Sequence, residues 1–218
     1  MSPPAITLWG RPSSINVQKV LWTLGELGLA YEHVDAGGDA GGLDDPAFRA
    51  MNPHGRVPVL KHGETALWES NAIVRYLCAA YAPDRLCPAG DKARAACEMW
   101  MDWTATRLQP AVMELFWGYY RTPAAQRDEA RIAQLRSESV VAIGALDRWL
   151  AQRPFLAGGD FSMADIPAGT LMFRYFGMGG ETPQASAVEA WRARLAARSA
   201  YAAHVMQPFD ALFGRLAY

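Results

Sequence analysis

The sequence predicts an α/β domain followed by an all-α domain. Three observations carry this. Short runs of alternating apolar residues occur only in the first third of the chain. Helical periodicity alone fills the remainder. Between them, the stretch from Pro83 to Gly90 carries two prolines and reads as a linker. The expected division is 1–83, a linker at 84–90, and a helical domain over 91–218.

Ile6-Thr7-Leu8-Trp9 alternates as a short strand, and Gly10-Arg11-Pro12-Ser13-Ser14 interrupts it. From Ile15 the period becomes helical, with Val17, Val20, Leu21, Leu24 and Leu27 on one face. Gly28 lies where a left-handed residue ends a helix. Tyr31 to Val34 reads as a second strand, so a right-handed βαβ unit is expected. The glycines of 37–42 form no phosphate-binding pattern and read as a connector. Asp45-Pro46 pairs an N-cap with a proline at the first helical position. Val57-Pro58-Val59-Leu60 and Thr65-Ala66-Leu67-Trp68 read as a hairpin joined by Lys61-His62-Gly63-Glu64. Ser70 is a candidate N-cap for a helix with Ile73, Tyr76, Leu77 and Ala80 on its apolar stripe.

Beyond the linker, a long helix is expected from Ala93 to about Tyr120, and another from Pro123 to Leu150. A loop covers Pro154 to Gly159. Ser162-Met163-Ala164-Asp165 is a capping box that opens an apolar helix. Two further helices are expected at Ala185–Arg198 and Ala200–Gly214.

The totals exclude several classes. Apolar residues make up 51% of the 218, enough for a sizeable core. The formal net charge is −1 with no Lys/Arg run, so capture of nucleic acid or an anionic membrane by charge is not expected. No apolar run is long enough to span a bilayer, and Met1 to Pro4 shows no signal-peptide pattern. Cys78, Cys87 and Cys97 offer neither a disulfide framework nor a zinc pattern, which fits the reducing cytoplasm. His33, His62 and His204 have no partners at metal-ligand spacing, so no metal is expected. His54 reads as a turn residue.

One stretch stands apart, Asn52-Pro53-His54-Gly55-Arg56-Val57-Pro58. Proline lacks an N–H and avoids sheet interiors. At the mouth of a strand it makes sense as a cis X-Pro bond that turns the preceding backbone toward a ligand.

Asn-Pro-x-Gly-x-Val-Pro, Glu69-Ser70 one hairpin later, the Ser-Met-Ala-Asp-Ile box and the order of elements together resemble a soluble glutathione transferase. Trp9-Gly10-Arg11, Ser14, Asn16-Val17, Lys19-Val20 and the segment Glu98 to Trp103 are similar to a bacterial subgroup of that family. The resemblance covers the whole chain. It implies a thioredoxin-like N-terminal domain, a cis Val57–Pro58 bond, glutathione as co-substrate and a homodimer.

The residues suit that chemistry. Glutathione carries a thiol, two carboxylates, an α-ammonium and two peptide bonds. The Val57 backbone beside Pro58 would pair with the cysteinyl backbone as a short strand does. Ser70, at a helix start, would receive the γ-glutamyl carboxylate. Glu69 would accept from the α-ammonium, and Arg56 would reach the glycyl carboxylate.

The thiol needs activation, because an ordinary thiol with pKa about 8.5 is mostly protonated at neutral pH. Lowering that by about two units takes roughly 2.7 kcal/mol of preferential thiolate stabilisation. One charge-assisted hydrogen bond supplies about 1.5–3 kcal/mol. Ser14, at the first turn of the first helix, is the expected donor, with Ser13 and Asn16 as competitors. The absence of a cysteine in 11–16 argues against the disulfide-reducing members. Trp103, Arg107, Trp117 and Tyr120 are the expected wall for a second, largely apolar substrate. Dehalogenation, peroxide reduction and isomerisation share the same binding half, and a non-catalytic glutathione- or partner-binding role is the other alternative.

Overall fold

The computed structural model describes residues 5–216. Four strands, β1 (Ile6–Trp9), β2 (Glu32–Val34), β3 (Val59–His62) and β4 (Thr65–Trp68), form one mixed sheet in the order β2-β1-β3-β4. Helix α1 (Ile15–Leu27) links β1 to its parallel neighbour β2. Gly28 ends α1 at φ 63, as its position suggested. Helix α2 (Pro46–Met51) starts on Asp45, whose carboxylate accepts from the Ala47 N–H at 2.7 Å.

Two expectations for this half change. The β3–β4 connection is shorter than four residues, because Lys61 and His62 pair with Ala66 and Thr65. Only Gly63 and Glu64 remain in the turn, and Gly63 at φ 59 supplies the left-handed residue that a two-residue hairpin needs. Ser70 is not an N-cap. Helix α3 (Ser70–Tyr81) starts on it, and Glu69 occupies the cap position at φ 67 and ψ 110.

Alternation sorts the sheet residues onto two faces. Ile6, Leu8 and Leu60 meet Val17, Val20, Leu21 and Leu24 of α1 and Ile73 and Leu77 of α3. Val59 on the other face meets Phe48 of α2 and Ala36. Helix α1 is buried on a second side too, where Ile15 and Trp22 enter the core of the helical half.

That half begins with α4 (Asp91–Trp103) and α5 (Gln109–Leu115). They are one helical rod joined by a π stretch at Thr104–Leu108, and a second π stretch, Phe116–Arg121, ends it. Pro110 explains the first. It has no N–H to give and its ring crowds the preceding turn, so the ladder widens to bonds such as Gln109 N–H to Thr104 C=O. Helix α6 (Glu129–Leu150) starts later than Pro123, because Asp128 caps it by accepting from the Arg131 N–H at 2.9 Å. Helices α7 (Asp165–Gly177), α8 (Ser186–Ala196) and α9 (Ser199–His204) follow. The last is much shorter than expected. After it the chain turns irregular, with one 3-10 turn at Asp210–Leu212. The connector is anchored at Leu86, which is buried and accepts from the Met163 N–H at 2.9 Å. Among the described residues, no helix is long and apolar enough to cross a membrane.

Candidate functional site

The turn after β1 and the start of α1 build the first wall. Gly10 sits at φ 148, and a Cβ there would lie 2.5 Å from Val17 and 3.2 Å from Val57. Glycine therefore lets α1 approach the Val57 loop closely. Ser14 stands at the N-cap position with extended backbone, and its hydroxyl makes no capping bond. Its backbone is spent, donating to Arg11 C=O at 3.1 Å and accepting from the Gln18 N–H at 2.9 Å.

The second wall is the loop 52–58. Buried Asn52 shapes it from both ends of its amide. Its Nδ2 donates to Arg56 C=O at 2.8 Å, and its Oδ1 accepts from the His54 N–H at 3.0 Å. This explains Asn-Pro at the loop's start, since an Asn side chain can mimic a turn of backbone. The Val57–Pro58 bond is cis, as the resemblance implied. Val57 lies outside the β3 ladder, which begins at Val59. The third wall is the start of α3. Glu69 at φ 67 is a left-handed non-glycine residue, a conformation costing on the order of 1–3 kcal/mol and concentrated at functional sites.

These walls enclose two joined compartments. The larger, about 500 Å³, is lined by Arg11, Ser13, Ser14, Asn16, Arg56 and Val57 on one side. Met113, Phe116, Trp117, Arg174 and Leu212 face them from the helical half. The smaller, about 230 Å³, holds Asn16, Asn52, Arg56, Val57, Pro58, Glu69 and Ser70. Asn16, His54, Arg56 and Val57 border both and mark the junction. Arg174 is buried, with its guanidinium 4.8 Å from the Phe116 ring and Nη2 donating to Ser13 C=O at 3.2 Å. It ties α7 to the turn that carries Ser14.

Lysine 19 lies beneath the junction, 1% exposed. Its Nζ donates to Asn16 Oδ1 at 3.0 Å and to Gln109 Oε1 at 2.8 Å. Ser70 Oγ donates to the same Asn16 oxygen at 3.4 Å. Burial lowers the lysine pKa to about 7, against the attraction of Glu69.

Of the residues expected from sequence, Ser13, Ser14, Asn16, Arg56, Val57, Pro58, Glu69, Ser70 and Trp117 come together around this cleft. Trp103 and Arg107 do not. They line a separate groove with Pro110, Glu114 and Val141. Tyr120 is buried behind the wall, its ring stacked on Phe116 with centroids 5.3 Å apart. Lys19, Gln109, Met113 and Arg174 were missed. For Lys19 a signal existed, since Ile15 and Trp22 flank it at helical spacing and mark a second buried stripe of α1. Among the described residues, no group of three or more His, Cys, Asp or Glu side chains could hold a metal.

A thioredoxin-like sheet domain, a cis proline beside a polar cleft and a helical domain closing it define the class. Residues 8–85 match the family model for the glutathione S-transferase N-terminal domain, and residues 108–199 that for the C-terminal domain. The chain is 40% identical over 205 residues to glutathione S-transferase GstB of Escherichia coli (strain K12), covering 93% of this chain and 99% of that one. It is 32% identical to glutathione S-transferase 3 of Zea mays, over 73% of each chain. Among solved structures, the theta class glutathione S-transferase of Xanthomonas axonopodis pv. citri with glutathione bound is similar at 48% identity and a TM-score of 0.90. That match covers 94% of this chain and 99% of the other. The chain belongs to the glutathione S-transferase family.

Proposed function

We propose that this chain binds glutathione across the two compartments, activates its thiol as the thiolate and adds it to a small, largely apolar electrophile. One observation carries the reading: the start of α1, the cis-proline loop and the start of α3 converge on one cleft whose far wall is Met113, Phe116, Trp117 and Leu212. The charges suit the ligand. Glu69 meets the α-ammonium, Ser70 and the start of α3 meet the γ-glutamyl carboxylate, and Arg56 meets the glycyl carboxylate. The backbone of Val57 pairs with the cysteinyl backbone. The cysteinyl sulfur then lies at the junction, next to the aromatic wall.

Ser14 Oγ, free of any capping bond, donates to the thiolate. It is a donor and not a nucleophile, so no base partner is required. Catalysis consists of thiolate formation and positioning against the apolar compartment. The proposal includes a homodimer acting in the cytoplasm, on the strength of the family. Light scattering that returned a monomer would overturn the dimer.

The test of the central claim is a pH titration of thiolate absorbance for bound glutathione. Ser14→Ala is expected to raise the bound thiol's pKa by about 1–2 units, equivalent to roughly 1.4–2.7 kcal/mol. An unchanged value would remove Ser14 from the chemistry.

A further inference from the structure

Lysine 19 has a job that stability alone does not explain. Taking an ammonium out of water is expensive, and an apolar side chain of similar length in its place is often neutral or stabilising. Most of the buried helix around it is apolar, at Ile15, Val17, Val20, Leu21, Trp22 and Leu24, and the other buried polar residues, Gln18 and Thr23, carry no charge. A methionine would fill this position without any desolvation penalty. What the lysine adds is a donor in a fixed place.

That donor settles the orientation of a neighbouring amide. A lysine nitrogen offers only N–H groups while it is charged, so the Asn16 atom 3.0 Å away must be the oxygen. Ser70 Oγ donates to the same oxygen. With its oxygen held toward α3 and the floor of the cleft, the Asn16 amide has its N–H₂ on the opposite side. Asn16 is half-buried and borders both compartments, which leaves the junction within reach of that N–H₂. Gln109 of α5, accepting at 2.8 Å, pins the lysine from the helical half. A neutral amine keeps two N–H groups, enough for both bonds.

We propose that Lys19 is a positioning residue for thiol activation: from beneath the cleft it holds the Asn16 amide with Nδ2–H₂ turned to the cysteinyl sulfur of glutathione. This rests on the glutathione reading above. Asn16 then acts beside Ser14 as a second donor to the thiolate. The negative charge of Glu69 favours the charged form of Lys19, so one carboxylate acts on both the lysine and the ligand's α-ammonium.

The experiment is a double-mutant cycle read by the thiol pKa of bound glutathione. Lys19→Met and Asn16→Ala are each expected to raise it by about one unit, a tenfold loss of thiolate near neutral pH. The double variant is expected to be no worse than Asn16→Ala, because the lysine acts through the amide. Lys19→Gln, which returns an N–H₂ donor without the charge, is expected to recover part of the loss. A wild-type thiol pKa in Lys19→Met overturns the proposal. So does a Lys19→Met effect that is undiminished in the Asn16→Ala background.

If Lys19→Met does not fold, Asn16→Asp carries the test. It keeps the lysine's partner and replaces the donor with a second acceptor, so the thiol pKa must rise; a wild-type value rejects the idea. Failure of the underlying reading looks different. There the unmodified protein itself would fail to bind glutathione, or would leave its thiol pKa at the solution value.

Discussion

Helices α1 and α7 are the same length, 13 residues, and each starts just after a serine-bearing turn. Their starts are used in opposite ways. At the start of α7 the side chains of Asp165 and Ser162 spend their polar atoms inside the protein. Asp165 is fully buried, and its Oδ1 accepts from the Leu156 N–H at 3.0 Å and the Trp191 indole at 2.9 Å. Its Oδ2 accepts from the Ser162 N–H at 3.1 Å, and Ser162 Oγ accepts from the Ala164 N–H at 3.3 Å. At α1 the serine hydroxyl makes no capping bond and borders a cleft, half-buried. Both starts concentrate donors and a positive dipole end. What separates scaffold from site is whether those donors are already committed.

The largest expected effect breaks the committed side. Asp165→Ala strands three buried donors, those of Leu156, Ser162 and Trp191, each worth about 1–3 kcal/mol when left unpaired. Urea unfolding is expected to show a loss of about 3–5 kcal/mol. The fraction still folded should keep the wild-type thiol pKa for bound glutathione. A loss under about 1 kcal/mol would mean that the box is not the strut described. The uncommitted side should behave in reverse. Ser14→Ala removes no capping hydrogen bond, so unfolding free energy should stay within about 0.5 kcal/mol while the thiol pKa rises. A Ser14→Ala variant destabilised as much as Asp165→Ala would erase the distinction between the two helix starts.

The same contrast governs what could be read from the sequence. Local chemistry was legible. Gly28 and Asp45-Pro46 each name their own structure, the Ser162–Asp165 box forms its Ser162 N–H to Asp165 bond although the cap position of α7 falls at Ala164, and periodicity separated the sheet from the helical half. Val57-Pro58 and Glu69-Ser70 were legible through their order. The details that failed depend on neighbours far along the chain. Ser70 reads as a cap, but the chain enters α3 through a left-handed Glu69, a backbone state that no residue preference would select. The burial of Lys19 could be read only indirectly, from Ile15 and Trp22 at helical spacing, and its partner Gln109, 90 positions away, could not be read at all. The aromatic wall failed for a geometric reason. Trp103, Arg107, Trp117 and Tyr120 were grouped along one continuous helix of uniform 3.6-residue period, without all falling on one face of it. Two π stretches interrupt that period, so positions on either side of each lose phase.

The smallest effects test that phase slip directly. Trp117 borders the larger compartment, with the Arg121 guanidinium 4.4 Å from its ring centroid. Trp103 sits on the other groove against Trp100, ring centroids 5.1 Å apart. Trp117→Ala should therefore raise KM for an apolar electrophile about tenfold, roughly 1.4 kcal/mol of lost contact, with glutathione KM nearly unchanged. Trp103→Ala should leave both KM values within about twofold and show only a stability loss from the missing Trp100 contact. Comparable KM effects at Trp103 and Trp117 would mean that the rod runs through in phase, because 14 residues of uninterrupted helix return to nearly the same face. Arg107→Ala serves as a second reporter on the same face as Trp103. Its silence in both KM values would assign the groove of Trp103, Arg107 and Val141 a role outside the glutathione reaction.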